Sequence, residues 1–397
     1  MNRYTIAASL LFTLILGTFS IAQETAIPGP SPDQEIRAIW ITRSDYKSPE
    51  DITKIVRNCA AYNFNLLLFQ VRGNGTVYYK SELEPWAWEL NGKDVSNLGK
   101  DPGWDPLDCA IKEARKYHVE LHAWLNTMPG WGGEQDPPEN VPQLWNTHRD
   151  WFMRDKSGNI MIPTGKNKDW YRFISPSNPE VQDYIRDVYT EVARNYPVDG
   201  VHFDYIRYPG EIGDYSYDSA SLARFKELYQ GTPDSFPDEW SQFRRNSIAE
   251  LCSKTYMSVT AARPGIKVSS AVIADRDRAR SAHYTNAAQW SENGTIDIIM
   301  PMSYTNDLLK FRRMNQEQIQ NAHGRFVCPG IGVGKNWAAT PEMAIEQVET
   351  ARAIGAQGVT FFAYHGLFPQ HKPGPVVDAL LKGPFFSRAK IPTLTWR

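Results

Sequence analysis

The chain has 397 residues, enough for one large α/β barrel or two ordinary domains. Apolar residues make 42% and charged residues 22%, which excludes a disordered or fibrous chain. Forty-three Lys and Arg against forty-five Asp and Glu leave a net charge of -2. A nucleic-acid binder would need a basic excess, so no nucleic-acid partner is expected.

At the N-terminus Arg3 precedes an apolar run from Ile6 to Ile21, and Ser20-Ile21-Ala22 offers the small residues a signal peptidase reads. The run is shorter than the ~20 residues of a membrane span. A signal peptide over 1–22, cleaved after Ala22, is expected, giving an exported protein, periplasmic or secreted, without a stable membrane anchor. Residues 23–34 carry Pro28, Pro30 and Pro32 and read as a tether.

From Ile36 onward, strand and helix patterns alternate. Strands are predicted over Ile36–Arg43, Asn65–Arg72, Val119–Asn126, Gly200–Arg207, Ile266–Asp275, Asp297–Tyr304, Phe326–Val333 and Gly358–His365. Helices are predicted over Glu50–Tyr62, Pro106–His118, Pro179–Tyr196, Glu239–Ala262, Asn286–Asn293, Leu308–Ala322 and Pro341–Ile354. Eight strands alternating with helices predict a single (β/α)8 TIM barrel over 35–385, with 386–397 as a C-terminal tail. A doubly wound open sheet would want a glycine-rich phosphate turn after its first strand, where Thr42-Arg43-Ser44-Asp45 stands. The longest connections, Gly73–Asp105, Thr127–Ser175 and Tyr208–Asp238, all follow strands. In a barrel such βα loops build the functional C-terminal face.

Period-two alternation separates barrel interior from helix-facing side chains. In the third strand Val119, Leu121, Ala123 and Leu125 form the apolar face, which turns Glu120, His122, Trp124 and Asn126 inward. In the fourth, Gly200, His202, Asp204 and Ile206 face inward, and in the second Leu66, Leu68, Gln70 and Arg72 share one face. Asp275 ends the fifth strand, Tyr304 the sixth, and Tyr364-His365 the eighth. Polar groups buried together each need a partner, so their convergence at one mouth predicts a site. Asp204, next to Tyr205, is the leading residue, as nucleophile or general base, with His202 and Arg207 able to tune its charge. The other reading of Asp204 is a loop-fixing pair with Arg207. Trp86, Trp88, Trp104, Trp131, Trp145 and Trp170 fall in loops or at loop edges, where two or three are expected to be stacking platforms for sugar. The cysteines Cys59, Cys109, Cys252 and Cys328 show no C-x-x-C spacing and read as buried thiols, with Cys59 and Cys109 the one pair considered for a disulfide.

Several stretches together resemble the bacterial glycosyl-hydrolase-like 10 family of barrel proteins. They are Arg37-Ala-Ile-Trp40, Asn65-Leu-Leu-Leu-Phe-Gln70-Val-Arg72, Tyr78-Tyr-Lys-Ser81 with Glu84-Pro-Trp86, and Lys100-Asp-Pro-Gly103 with Asp105-Pro-Leu107. Glu120-Leu-His122-Ala-Trp124-Leu-Asn126, Trp151-Phe with Asp155-Lys-Ser-Gly158, and Ser175-Pro with Asn178-Pro-Glu-Val181 continue the series. The clearest is Asp199-Gly-Val-His-Phe-Asp204-Tyr-Ile-Arg207-Tyr-Pro209. The resemblance implies an exported glycoside hydrolase of the cell envelope, acting in some members on peptidoglycan glycan strands stripped of peptides. It implies Asp204 as principal catalytic carboxylate, with Gln70, Arg72, His122, Asn126, His202 and Arg207 around the sugar. Trp124, Tyr205, Tyr304, Tyr364, Trp86 and Trp131 complete the expected binding set.

Two departures limit the carry-over from the wider barrel glycosidases. Chitinase-type barrels carry Asp-Gly-x-Asp-x-Asp-x-Glu; Asp199-Gly200 and Asp204 fit, whereas His202 and Ile206 occupy the other acidic places. No Glu ends the fifth or sixth strand, which leaves Asp275, flanked by Arg276 and Arg278, and Asp307, slightly ahead of it, for the second carboxyl. Two other classes remain open. One is a non-catalytic glycan-binding barrel. The other is a metal-dependent glycan deacetylase, for which no H-x-H or H-E-x-x-H stands in the chain. No cofactor and no metal are expected, and a monomer acting on a polysaccharide or oligosaccharide is.

Overall fold

The computed structural model describes residues 31–397 except 134, 169, 335, 336, 338 and 339. The expected signal peptide and most of the Pro-rich tether lie outside the described residues. Eight strands form one parallel sheet: β1 (Ile36–Ile41), β2 (Leu66–Arg72), β3 (Glu120–Asn126), β4 (Gly200–Asp204), β5 (Lys267–Ile273), β6 (Ile298–Met302), β7 in two pieces (Phe326–Val327 and Gly330–Gly332) and β8 (Gly358–Phe362). Each falls inside its expected run. β1 pairs with both β2 and β8. The first piece of β7 pairs with β6 and the second with β8. Between the pieces, the Cys328 N–H donates to the Ile299 carbonyl and the Thr360 N–H to the Pro329 carbonyl, both at 2.9 Å. The two edges of the sheet are thus halves of one run of chain, as the (β/α)8 fold requires.

The surrounding helices form where the apolar stripe and the caps agree. In Pro49–Ala61 the Ser48 hydroxyl accepts the Asp51 N–H at 3.3 Å, Pro49 opens the first turn, and Ile52, Ile55, Val56 and Cys59 are buried. That spacing lays one stripe on the sheet, each buried aliphatic contributing about 1.5–3 kcal/mol. Thr340 caps Pro341–Ala353 in the same way through the Met343 N–H. Among the described residues no helix is long and apolar enough to cross a membrane.

The long βα loops hold structure of their own. Within Thr127–Ser175, Pro129–Gly132 and Tyr171–Phe173 form an antiparallel ribbon. Within Tyr208–Asp238 a helix runs over Ser219–Tyr229, capped by Asp218 and burying Phe225 against Trp240 and Phe243. Its turn-rich flanks carry little periodicity, so the sequence reads as loop. All four cysteines are free, so the Cys59–Cys109 bridge considered above is not formed.

The C-terminal residues are not a loose tail. Ile391, Leu394 and Trp396 pack on the apolar lower barrel, with Trp396 edge-on to Phe326 at 4.9 Å. Asp297, fully buried, accepts from Trp396 Nε1 at 3.0 Å and from Arg397 Nη2 at 2.6 Å.

Candidate active site

Register sets the depth of each inward side chain. β3 and β4 align His122 with Gly200, Trp124 with His202, and Asn126 with Asp204. Below Trp40 and Trp124, the Trp40 indole N–H donates to His202 Nε2 at 3.0 Å. His202 Nδ1 therefore carries its proton, toward Ser269 Oγ at 2.9 Å, and the same hydroxyl meets His122 Nδ1 at 2.8 Å. Gly200 leaves room for the His122 ring; a Cβ there would overlap it. Burial pushes His202 down to about 3. It also holds His122 well below the ordinary histidine value, helped by the charge of Lys267 and by His202. Both rings are neutral scaffolding beneath the cleft and do not reach the sugar subsite expected for them.

This buried pair sets a pH dependence. The unfolded chain takes up a proton on His202 below about pH 6.5, whereas the folded chain does so only near about 3. The stability present above pH 6.5 is lost as pH falls through that window. In His202→Gln, which keeps an acceptor for Trp40, the fall of melting temperature from pH 7 to 4 is expected to be shallower than in the parent. Thermal melts across that range decide it, and parallel slopes would exclude His202 as the source.

Above this layer a cleft of about 520 Å³ opens at the C-terminal ends of the strands, the functional end of such barrels. A hollow of about 610 Å³ at the opposite end lies against Asn65, His118 and Lys390, where these barrels keep structural connections. Asp204, 6% exposed, stands in the floor of the cleft. Its Oδ1 accepts the Tyr205 N–H at 2.6 Å and an Arg207 N–H at 3.2 Å. Burial pushes the carboxyl above the ordinary aspartate value, although Arg207 and the Tyr205 N–H pull it down. Tyr205 has φ +51°, a left-handed backbone that strains a non-glycine residue. Asp204 O holds that corner by accepting the Thr127 N–H at 2.7 Å, and the Arg207 guanidinium lies 4.1 Å over the Tyr205 ring. A polar chain crosses the floor: the Arg43 N–H donates to Gln70 at 3.0 Å, and Asn126 Oδ1 accepts from Gln70 at 3.2 Å and Trp124 at 3.1 Å.

Two aromatic walls flank this floor. Trp170, Tyr171 and Tyr205 meet edge to face on one side, and Trp40, Tyr304, Trp337 and Phe362 pack together on the other. Of the six loop tryptophans only Trp170 lines the cleft. Trp131 and Trp145 are buried, while Trp88 and Trp104 pack on the core from partly buried positions. Trp86 sits half-buried in a bridge to Val77, away from the cleft lining. Trp40 and Trp337 do line it and carry no such signal in the sequence, one being a strand residue and the other a lone tryptophan before a helix.

Gln70, Trp124, Asn126, Asp204, Tyr205, Arg207 and Tyr304 come together at the cleft. Arg72 does not, because a bulge after Gln70 pairs Arg72 with helix-facing Leu125 and so turns it off the interior. It forms a buried double hydrogen bond with Glu84 at 2.8 and 2.6 Å and ties down the Asn126 carbonyl. Tyr364 is buried against Asn58 and His371. Asp275 and Asp307, expected for the second carboxyl, are exposed helix caps accepting from the Arg278 and Lys310 N–H groups at 3.0 Å. Asp204 is the one carboxylate among the described residues that line the cleft.

Comparison with known proteins bears on the family and the fold. Over 265 residues the chain is 29% identical to glycosyl hydrolase DigH of Escherichia coli, covering 60% of this chain and 54% of that protein. It thus spans about half the length of that relative. Glycosyl hydrolase YngK of Bacillus subtilis is 24% identical over 97% of this chain and 78% of its own length. Among solved structures, the catalytic domain of β-amylase from Paenibacillus polymyxa superposes with a TM-score of 0.63 at 10% identity, covering 90% of this chain and 99% of that one. β-Galactosidase from Marinomonas ef1 does so at 0.61 and 12% identity, over 86% and 58%. These two likenesses speak to the fold. Residues 35–328 match the pattern of glycosyl hydrolase-like 10 proteins, and the chain belongs to that family.

Proposed function

We propose that this chain is an exported glycoside hydrolase of an envelope or extracellular glycan, peptidoglycan strands among them, with Asp204 as its principal catalytic carboxylate. The observation that carries the reading is one buried carboxyl, its pKa raised by burial, in the floor of a cleft walled by aromatic rings. Such walls present flat apolar faces on which the C–H faces of sugar rings pack. Glycosidic bond cleavage draws on a carboxyl whose surroundings tune its proton affinity, and burial shifts this one upward. The N-terminal apolar leader is what supports export, and membership of the glycosyl hydrolase-like 10 family, with the envelope role its resemblance implies, is what supports the glycan class.

The test is digestion of a panel of envelope glycans by the purified protein, with products read by mass before and after prolonged chelation. Cleavage that survives chelation is expected. Cleavage lost on chelation and restored by zinc or manganese would move the protein to the metallohydrolases. Barrel glycosidases that use two protein carboxyls hold them ~5 Å apart for retention or ~6.5–9.5 Å for inversion. A single carboxylate in the described lining favours a second reading, a glycan-binding barrel without turnover; binding without cleavage across the panel would establish it.

Trp170 separates stacking from packing. Trp170→Ala is expected to weaken glycan binding about 5-fold with little loss of stability, since one ring contact is worth ~1 kcal/mol. Trp145→Ala is expected to destabilise by about 3–5 kcal/mol instead, because it empties a buried site under Arg172. Calorimetric titration and melting of both variants check the assignment.

A further inference from the structure

We propose that Arg43 is a specificity residue that reads a carboxylate on the substrate, so that the cleft prefers acidic sugars to neutral ones. The inference rests on the glycan reading above and adds to it the charge of the glycan. Arg43 follows β1 and lines the cleft beside Tyr171. The other arginines of this region are committed to carboxylates: Arg72 to Glu84 at 2.6 Å and Arg207 to Asp204 at 3.2 Å. Arg43 has no ion pair among the described residues; its fork makes one protein hydrogen bond, to the Tyr171 hydroxyl at 3.3 Å. Glu89 contributes to the field Arg43 feels, yet it makes no ion pair with it. Among the described residues of the lining, two guanidinium groups stand against one carboxylate.

The position of Arg43 is built. A Cβ on Gly73 would lie 2.8 Å from Arg43 Nη1, so the absence of a side chain there lets the guanidinium pass. The Arg43 N–H is fixed by Gln70 at 3.0 Å, and the guanidinium carbon lies 5.9 Å from the centre of the Tyr171 ring. A planar fork with free donors, half-shielded from water and next to an aromatic platform, matches a carboxylate bidentately. The ligand chemistry is a sugar whose carboxylate sits on the ring, as in a uronate, or on an ether arm, as in a lactyl group.

The experiment uses two probes, peptide-free peptidoglycan oligosaccharides for the ether-borne acid and oligogalacturonates for the ring-borne acid. Each is compared intact and after reduction of its carboxylates to alcohols. Affinity for the full chain is measured by calorimetry, and cleavage is followed in parallel by mass. At least one intact probe is expected to bind about 10- to 100-fold tighter than its reduced form, the range of a charge-assisted hydrogen bond. In Arg43→Gln the intact and reduced forms are expected to bind alike, and Arg43→Lys is expected to restore part of the preference. Equal binding of both forms to the parent, a preference that survives Arg43→Gln, or no binding of either probe would overturn the proposal. A preference that follows Arg43 without cleavage would sink the hydrolase reading and leave Arg43 standing, whereas cleavage without a preference would do the reverse.

Discussion

Asp204→Asn is expected to lose about 10²–10⁴-fold in turnover, the share a positioned acid or base supplies, while the protein stays folded. It is also expected to melt higher than the parent at neutral pH. In the fold the carboxyl is pushed up by burial, more strongly than Arg207 and the Tyr205 N–H pull it down. The folded chain therefore holds the proton to higher pH than the unfolded chain does. For a raised acid the stability is full below the unfolded value of 3.8 and is lost as pH rises through the folded value. Asparagine carries no charge to bury, so its advantage is expected at pH 7 and is expected to fade toward pH 4. Lost activity with gained stability is what a residue kept for chemistry shows. Initial rates and melts from pH 4 to 8 test both halves. Near-parental turnover would remove Asp204 from the mechanism, and a lower melting temperature at every pH would make it a structural ion pair with Arg207.

Glu84→Ala is expected to destabilise the fold by about 3–5 kcal/mol, the largest stability effect at any polar residue near the cleft. Arg72 and Glu84 side chains are 0% and 1% exposed, so removing one leaves the other's charge buried without compensation. Tyr184 also loses the shorter of its two acceptors, Glu84 Oε1 at 3.0 Å, and keeps only the Leu83 carbonyl at 3.4 Å. Because Arg72 gathers the Asn126, Thr127 and Pro129 carbonyls, the end of β3 loses its clamp together with the pair. The double variant Arg72→Met with Glu84→Leu is expected to recover much of that loss in thermal melts, since an apolar pair needs no desolvation. A single variant within 1 kcal/mol of the parent, on the order of an exposed pair, would show that the site admits water.

The barrel and its mouth were legible because period-two alternation survives in short parallel strands. Trp124 and Asn126 face inward as the alternation of β3 requires, and so do His202 and Asp204 in β4. Depth along the barrel axis was not legible, because it depends on register between strands far apart in sequence. The pairing of Trp124 with His202 and of Asn126 with Asp204 puts one histidine a layer below the aspartate two residues on. The fate of Arg72 turned on a bulge, a one-residue slip that no side chain in β2 announces. Arg43 and Trp337 reach the cleft from loops, where no period fixes direction. The loop tryptophans were misleading for a related reason, since Trp131 and Trp145 stabilise the long loops from within.

The sealing of the barrel from its downstream end ties the order of folding to the order of synthesis. Ile36, in the first strand made, has as its partner Gly358, in the last. Buried Asp297 has no cationic partner among the described residues until Arg397 arrives. A nascent chain that has emerged through β6 therefore holds two open strand edges and a buried carboxylate that accepts from the Val268 N–H at 2.8 Å but still lacks its cation. Contacts this distant in sequence make closure slow and leave the half-made sheet prone to pair with other chains. Whatever keeps the growing polypeptide apart from its neighbours must act until residues 358–397 have cleared, and removing Trp396 and Arg397 alone, which pack on the lower barrel and on Asp297, would harm yield before it touched the cleft.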